Sequence, residues 1–294
     1  MKSAQTYRVT KDGCTHLEAS YKSVNGRELM LDLFLPVNPC PVPVIIAIHG
    51  GGWSFGSKRD YSPDAFLENG YAMASIEYRL SPHDVFPAQM EDVTAAVRWL
   101  RARAEELGLD SGRFGAFGHS AGGHLAALLG VTANRTDFEA GDNPGVSSEV
   151  HAVVDFAGPA DFSVLFDAQC APVEGDSSVP ATWVKAGIRL LGGEPIGPKR
   201  ELAERASPVR HIRQGCPPFL LIHGEKDELV DADQSRRMYN ALRRYDVPAE
   251  LILLPDADHG MRMNMPYGNG VLWDVVFRFF DSVLKKKETE ATSS

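Results

Sequence analysis

No stretch of the chain approaches the ~18 consecutive apolar residues that a bilayer-spanning helix needs, so no membrane span is expected. Cysteine is scarce. Cys14, Cys40, Cys170 and Cys216 lie far apart, with neither a Cys-x-x-Cys pair nor zinc-ligand spacing. That excludes a dithiol redox motif and a cysteine zinc site. Four free thiols are expected, and Cys14 with Cys40 is the one pair to check. Positive charge is in deficit, 30 Lys and Arg against 39 Asp and Glu, which argues against nucleic acid or an anionic membrane as partner. Met1 to Thr10 is polar and lacks the apolar core of a secretory signal. A cytoplasmic protein is therefore expected, although a secreted one whose signal had been removed would read the same. Neither the Gly-Lys-Ser/Thr of a P-loop nor a Gly-x-Gly-x-x-Gly fingerprint occurs, and there are no repeats.

What is present is an alternation of strand and helix patterns. With 294 residues, 44% hydrophobic and 23% charged, the chain suits one soluble α/β domain. Thr15 to Val24 and Arg27 to Leu35 read as a hairpin turning at Asn25-Gly26, and Leu29, Leu31, Leu33 and Leu35 give the second strand one apolar face. Further strands are expected at 43–48, 71–77, 113–117, 150–156, 219–222 and 249–254. Helices are expected at about 87–107, from 121 to about 132, near 232–245 and at 270–286. On the first of these Val93, Val97, Leu100, Ala104 and Leu107 keep helical spacing. The expectation is a doubly wound, mostly parallel sheet of about eight strands. Lys285 to Ser294 reads as a disordered tail.

The most informative segment is Gly118-His119-Ser120-Ala121-Gly122, preceded by the strand pattern Arg113 to Phe117 and followed by Gly123-His124-Leu125-Ala126-Ala127-Leu128-Leu129. Strand, Gly-x-Ser-x-Gly turn and helix together make a nucleophile elbow, in which a serine is lifted onto the edge of the sheet. The bland alternative is an ordinary glycine-rich turn. Upstream, the buried-strand run Val44-Ile45-Ile46-Ala47-Ile48 enters His49-Gly50-Gly51-Gly52-Trp53. Three glycines leave backbone N–H groups uncovered for an oxygen that becomes negative during reaction, and the N–H of Ala121 adds another donor. His49 is expected to shape the loop.

A serine hydroxyl needs a base, and the base needs an orienting acid. Phe219-Leu220-Leu221-Ile222 leads into His223-Gly224-Glu225-Lys226-Asp227, and the strand ending at Leu254 leads into Pro255-Asp256-Ala257-Asp258-His259. The order Ser120, Asp227, His259 places each residue just past the C-terminal end of a strand, where open α/β sheets put their sites. Asp231 is the reserve acid and reads otherwise as a helix cap. Asp256 and Asp258 are too close to His259 on one loop.

Together with Tyr78-Arg79-Leu80, Phe86-Pro87-Ala88 and Glu91-Asp92, these motifs resemble the hormone-sensitive-lipase-like branch of the α/β-hydrolases over roughly residues 28 to 260. The tryptophan after the glycines, the histidine before the serine and His223-Gly224 before the acid resemble its short-lidded members, among them feruloyl and acetyl-xylan esterases and arylformamidases. The resemblance implies an α/β-hydrolase fold, triad roles for Ser120, Asp227 and His259, and oxyanion-hole roles for Gly51, Gly52 and Ala121. It implies a serine carboxylesterase acting on small esters without metal or organic cofactor. An arylformamidase is the rival enzyme. A non-catalytic ligand-binding protein on this fold is the rival of another class, and such proteins usually lack a triad member.

Residues 158–215 exceed a helix-length crossover and read as a lid-like insertion. They hold Phe162, Leu165, Phe166, Trp183, Ile188 and Leu190, with acidic and small residues around Glu174 to Ser178. Either one face of the insertion lines the acyl or alcohol pocket, or it is a crossover helix and surface loop with its own small core. Trp53 either walls the pocket or anchors its loop. Met261, with Met263 and Met265, is a candidate pocket edge or core filler. Trp183 is a candidate wall. His119 and His124 read as structural, as do Arg79 and Asp92. For a substrate bearing both ammonium and carboxylate, the insertion offers Asp161 and Asp167 as acids, and Lys185, Arg189, Arg205 and Arg210 as bases.

Overall fold

The β-branched run Val42–Ile48 is buried at every position, because it forms the middle strand of a sheet covered on both faces. The computed structural model describes residues 5–9, 14–37, 41–138, 141–166, 181–261 and 270–285. Its strands are β1 (Gln5–Val9), β2 (Thr15–Val24), β3 (Arg27–Leu35), β4 (Val42–Ile48), β5 (Ala72–Ile76), β6 (Leu109–His119), β7 (Ala152–Phe156), β8 (Phe219–Gly224) and β9 (Ala249–Leu254). They form one nine-stranded sheet in the order β1-β2-β3-β5-β4-β6-β7-β8-β9. From β5 through β4, β6, β7 and β8 to β9 every neighbouring pair is parallel, whereas β1, β2 and β3 join antiparallel. The fold is the expected α/β-hydrolase type, with one strand more than expected. That strand, Gln-Thr-Tyr-Arg-Val, pairs only with β2 and carries no apolar run to reveal it. The β2–β3 turn is as read, with Asn25 and Gly26 both at positive φ (51° and 80°).

Alternate residues of β4 face opposite layers. Val44, Ile46 and Ile48 join a core with α2 (Ala88–Ala102), α4 (Ala121–Thr132) and α7 (Asp233–Arg244). Ile45 and Ala47 join a second core, rich in aromatics, with α1 (Asp64–Glu68) and α8 (Gly270–Leu284). Every residue of α4 is buried, in keeping with a composition of mostly apolar and small residues. The helix expected over 87–107 is two pieces, α2 and α3 (Ala104–Leu107). Arg103 leaves helical geometry between them and lays its guanidinium over the Trp99 ring at 4.5 Å. The insertion contributes α5 (Ala181–Leu190) and α6 (Arg200–Ala206). Phe162, Leu165, Trp183 and Leu190 are buried in the α4-side core, so its described part shares the main core and has none of its own. Glu174 to Ser178, Asp167, Cys40, Cys170, Met263, Met265 and the tail beyond 285 lie outside the described residues. Among the described residues no helix is long and apolar enough to cross a membrane.

The loop after β5 is tied down by a buried charge cluster. The Asp92 carboxylate, fully buried on α2, accepts from Lys22 Nζ at 2.7 Å, Arg79 Nε at 2.8 Å and the Arg79 N–H at 2.9 Å. Arg79 and Asp92 are structural, as their sequence context suggested. Asp92→Ala leaves Lys22 buried without its counter-charge, and the expected loss is about 3–5 kcal/mol in urea unfolding at neutral pH. A loss below about 1 kcal/mol would show the cluster to be solvated.

Candidate active site

Strands β4, β6, β8 and β9 are parallel, so the residues that follow them emerge along one edge of the sheet. At the end of β6, Ser120 turns the chain into α4 with φ 58° and ψ −121°, a conformation costly for any residue but glycine. The surroundings over-determine it. The Ser120 N–H donates to the Phe156 carbonyl at 2.7 Å, and the Ser120 carbonyl accepts from the His124 N–H at 2.9 Å. Gly122 is obligatory, since a Cβ there would sit 1.9 Å from the Ile48 carbonyl oxygen. Ala121 opens α4, and the first N–H groups of a helix have no partner within it.

The glycine loop follows β4. Gly51 and Gly52 both take positive φ (100° and 54°), and Gly51 closes a turn by accepting from the Ser54 and Phe55 N–H groups at 3.0 and 3.2 Å. A Cβ on Gly51 would collide with the Phe55 carbonyl at 2.2 Å. His49 keeps the loop in shape. It is buried, stacks on Tyr78 at 4.1 Å, and its carbonyl accepts from the Tyr78 hydroxyl at 2.9 Å. Trp53 has both of the roles considered for it. It lines the cavity below, and its indole N–H donates to His124 Nδ1 at 3.1 Å. The other His124 nitrogen donates to the Ala206 carbonyl at 2.7 Å, which makes the ring a neutral strut between loop, elbow helix and insertion.

Past β8, Asp227 is saturated with donors. Its Oδ1 accepts from the backbone N–H groups of Leu229 and Val230, each at 2.8 Å. Its Oδ2 accepts from His259 Nδ1 at 2.6 Å and His223 Nε2 at 3.1 Å. Burial alone would raise this carboxyl, but the two imidazole hydrogen bonds prevail and hold it well below the ordinary carboxylate range. His223 is oriented in turn by the Ser235 hydroxyl at 2.7 Å from Nδ1. With Nδ1 of His259 donating to Asp227, its Nε2 is the acceptor nitrogen. Asp231 is elsewhere, accepting from the Asp233 N–H at 2.7 Å at the start of α7.

His119, read as structural, holds the loop that carries His259. Its ring lies 4.7 Å from the His259 ring and its Nε2 donates to the His259 carbonyl at 2.8 Å. Burial, aided by His259, lowers its pKa to about 4, so the ring is neutral at pH 7. Asp155, at the end of β7 under the elbow, is pushed up to about 6 by burial.

Ser120, His259 and His119 share one cavity of about 340 Å³ with Gly51 and Gly52. Trp53, Trp183, Ala186 and Pro159 also line it, with Phe55, Leu229, Val230 and Arg189 completing the lining. Phe55 and Leu229 are large apolar side chains left 68% and 41% exposed, which places them at the mouth. Met261, considered as a pocket edge, is instead turned into the core on the far face of the sheet. Its φ of 55° and its N–H bond to the Asp258 carbonyl swing the chain away from the cavity. Of the described charged residues weighed in the insertion, only Arg189 lines the cavity, and Asp167 lies outside the described residues. Asp161 pairs with Arg237 at 3.2 Å in another cleft, which Arg210 also lines, and Arg205 sits over Phe138. No sequence spacing marked Leu229, Val230, Pro159 or Phe55. Trp183, Ala186 and Arg189 are linked by the three-residue step of a helix face. Among the described residues no group of three or more histidine, cysteine or carboxylate side chains is placed to hold a metal.

Known proteins agree with this architecture. Esterase LipC of Mycobacterium tuberculosis is 34% identical over 226 residues, covering 75% of this chain and 53% of LipC. A truncated carbohydrate esterase from gut microbiota superposes with TM-score 0.74 at 27% identity, covering 90% of this chain and 93% of that one. Thermogutta terrifontis esterase 2 phosphonylated by sarin superposes with TM-score 0.74 at 26% identity, covering 99% and 97%. The chain spans about half the length of the curated relatives it matches. The BD-FAE family model matches residues 31–242, and the chain belongs to that family of α/β-hydrolases.

Proposed function

We propose that this protein is a serine carboxylic ester hydrolase acting on small, short-acyl esters. The observation that carries the reading is the Asp227–His259 hydrogen bond behind a cavity that His259 shares with a strained, elbow-borne Ser120. In this reading His259 Nε2 takes the Ser120 proton as Oγ attacks the ester carbonyl. The N–H groups of Gly51, Gly52 and Ala121 hold the oxyanion. His259 then protonates the leaving alcohol, and water resolves the acyl-enzyme by the same steps. The names of the relatives support ester cleavage, and the phosphonylation of Thermogutta esterase 2 by sarin supports a nucleophile of this kind. The arylformamidase alternative falls behind. A substrate bearing an ammonium group needs a carboxylate partner, and none lines the cavity among the described residues. Nothing favours a non-catalytic ligand-binding module.

A cavity of about 340 Å³ shared between acyl and alcohol portions suits short chains. Across a p-nitrophenyl ester series, kcat/KM is expected to peak at short acyl groups and fall steeply beyond about eight carbons. There each methylene meets a wall instead of gaining its ~0.8 kcal/mol of burial. Strong hydrolysis of emulsified long-chain triglyceride, with a rate jump at the solubility limit, contradicts this. Phenyl acetate against N-formylkynurenine at one pH tests ester against amide, and a preference for the amide of about tenfold or more reverses the order.

A further inference from the structure

Helix α5 presents Trp183, Ala186 and Arg189 to the cavity, so its last turn sets a guanidinium beside the candidate nucleophile's pocket. Arg189 is exposed, and among the described residues its side chain makes no hydrogen bond and no ion pair. Other arginines of the chain are committed: Arg79 to Asp92 and Glu91, Arg101 to three backbone carbonyls, and Arg237 to Asp233 and Asp161. Among the described residues, Ser120, His119, His259 and Arg189 bring polar side chains to the cavity lining, and no carboxylate does. Asp227 stands behind His259 with both oxygens engaged. Among the described residues, the one fixed charge lining the pocket is therefore positive, on a chain whose net charge is −9. General basicity of the surface does not explain it.

We propose that Arg189 is a specificity-determining residue that binds a carboxylate carried by the substrate, so that the preferred esters are anionic. This rests on the ester-hydrolase reading above. A guanidinium offers two parallel N–H donors that match a planar carboxylate. One arginine, with no second lysine or arginine lining the pocket among the described residues, matches a monoanionic carboxylate better than a phosphate dianion. Trp53 and Trp183 supply an apolar wall for the body of such a substrate, with Phe55 and Leu229 at the mouth. A purely structural role is the competing account, since a cation in the last turn of a helix complements its dipole. That role would act on every ester alike.

The carboxylate sits on either the alcohol or the acyl portion, and paired probes separate the two. On the alcohol side, 3-acetoxybenzoate is compared with neutral 3-acetoxybenzamide. On the acyl side, mono-4-nitrophenyl adipate is compared with 4-nitrophenyl hexanoate. Arg189→Gln is expected to lower kcat/KM for the carboxylate member of at least one pair by about tenfold or more, chiefly through KM. The neutral member should hold within about twofold, and Arg189→Lys should retain part of the preference. Raising the salt concentration should erode the wild-type preference in the same pair. If Arg189→Gln leaves both carboxylate-to-neutral ratios unchanged, or lowers all four esters equally, the inference is overturned while the ester-hydrolase reading stands. If the wild-type protein hydrolyses none of the four esters, that reading falls and the inference falls with it.

Discussion

Ser120→Ala and His259→Ala are each expected to lower kcat by several orders of magnitude, up to about a millionfold, with melting temperatures close to wild type. The reason is that the two side chains act as a unit. Without the imidazole, the Ser120 hydroxyl is a poor nucleophile at neutral pH. Without the hydroxyl, the imidazole has no covalent route to promote. The double variant should therefore be little worse than either single one. Neither substitution should unfold the protein, because the elbow is held through the backbone of Ser120, which bonds to Phe156 and His124. Steady-state kinetics on phenyl acetate check this, with thermal unfolding as the control for folding. Residual activity within about a hundredfold of wild type for either single variant contradicts the assigned roles.

Asp227→Asn is expected to cost about a thousandfold to ten-thousandfold in kcat, while Asp231→Asn costs at most a few-fold. The hydrogen bonds of Asp227 dictate the outcome. Oδ1 faces two fixed backbone donors, from Leu229 and Val230, so the single oxygen of an asparagine must remain there. The amide NH2 then points at His259 Nδ1 and His223 Nε2, which both donated to the carboxylate. His259 can accept from that NH2 only by moving its proton to Nε2, the tautomer that cannot take one from serine. Asp231 instead accepts the Asp233 N–H at the start of α7, a bond that an asparagine oxygen also accepts, so its stability should stay close to wild type. The wild-type Asp227 carboxyl is held far below the ordinary range, so its titration does not set the acid limb of a pH–rate profile. Near wild-type activity in Asp227→Asn, with a large loss in Asp231→Asn, reverses the acid assignment.

The parts legible in the sequence were those whose signal is local. Val44 to Ile48 running into three glycines, and Arg113 to Phe117 running into Gly-x-Ser-x-Gly, each carry strand, turn and loop within about a dozen residues. The order of Ser120, Asp227 and His259 at strand ends was legible because parallel topology brings those ends to one edge. What escaped depends on partners distant in the chain. His119 meets His259 across 140 positions, and Trp53 reaches His124 across 71. No periodicity encodes either contact. His223 looked like a loop residue and turned out to be a second donor to Asp227. Strand β1 escaped because a polar edge strand has no core pattern. Of the two readings of Met261, pocket edge and core filler, the fold selects the core, because the chain turns there with positive φ. The insertion gave up its pocket face only in the fold, where three residues a helical step apart meet one cavity.

Whether Ser120 is the activated nucleophile is decided by covalent labelling. The wild-type protein is treated with a serine-directed fluorophosphonate, activity is followed in parallel, and the modified peptide is located by mass spectrometry. About one equivalent per chain is expected, carried by Ser120, with hydrolysis lost in proportion and labelling greatly slowed in His259→Ala. Esterase activity that survives full exposure to the probe, or a label carried by a residue other than Ser120, contradicts it.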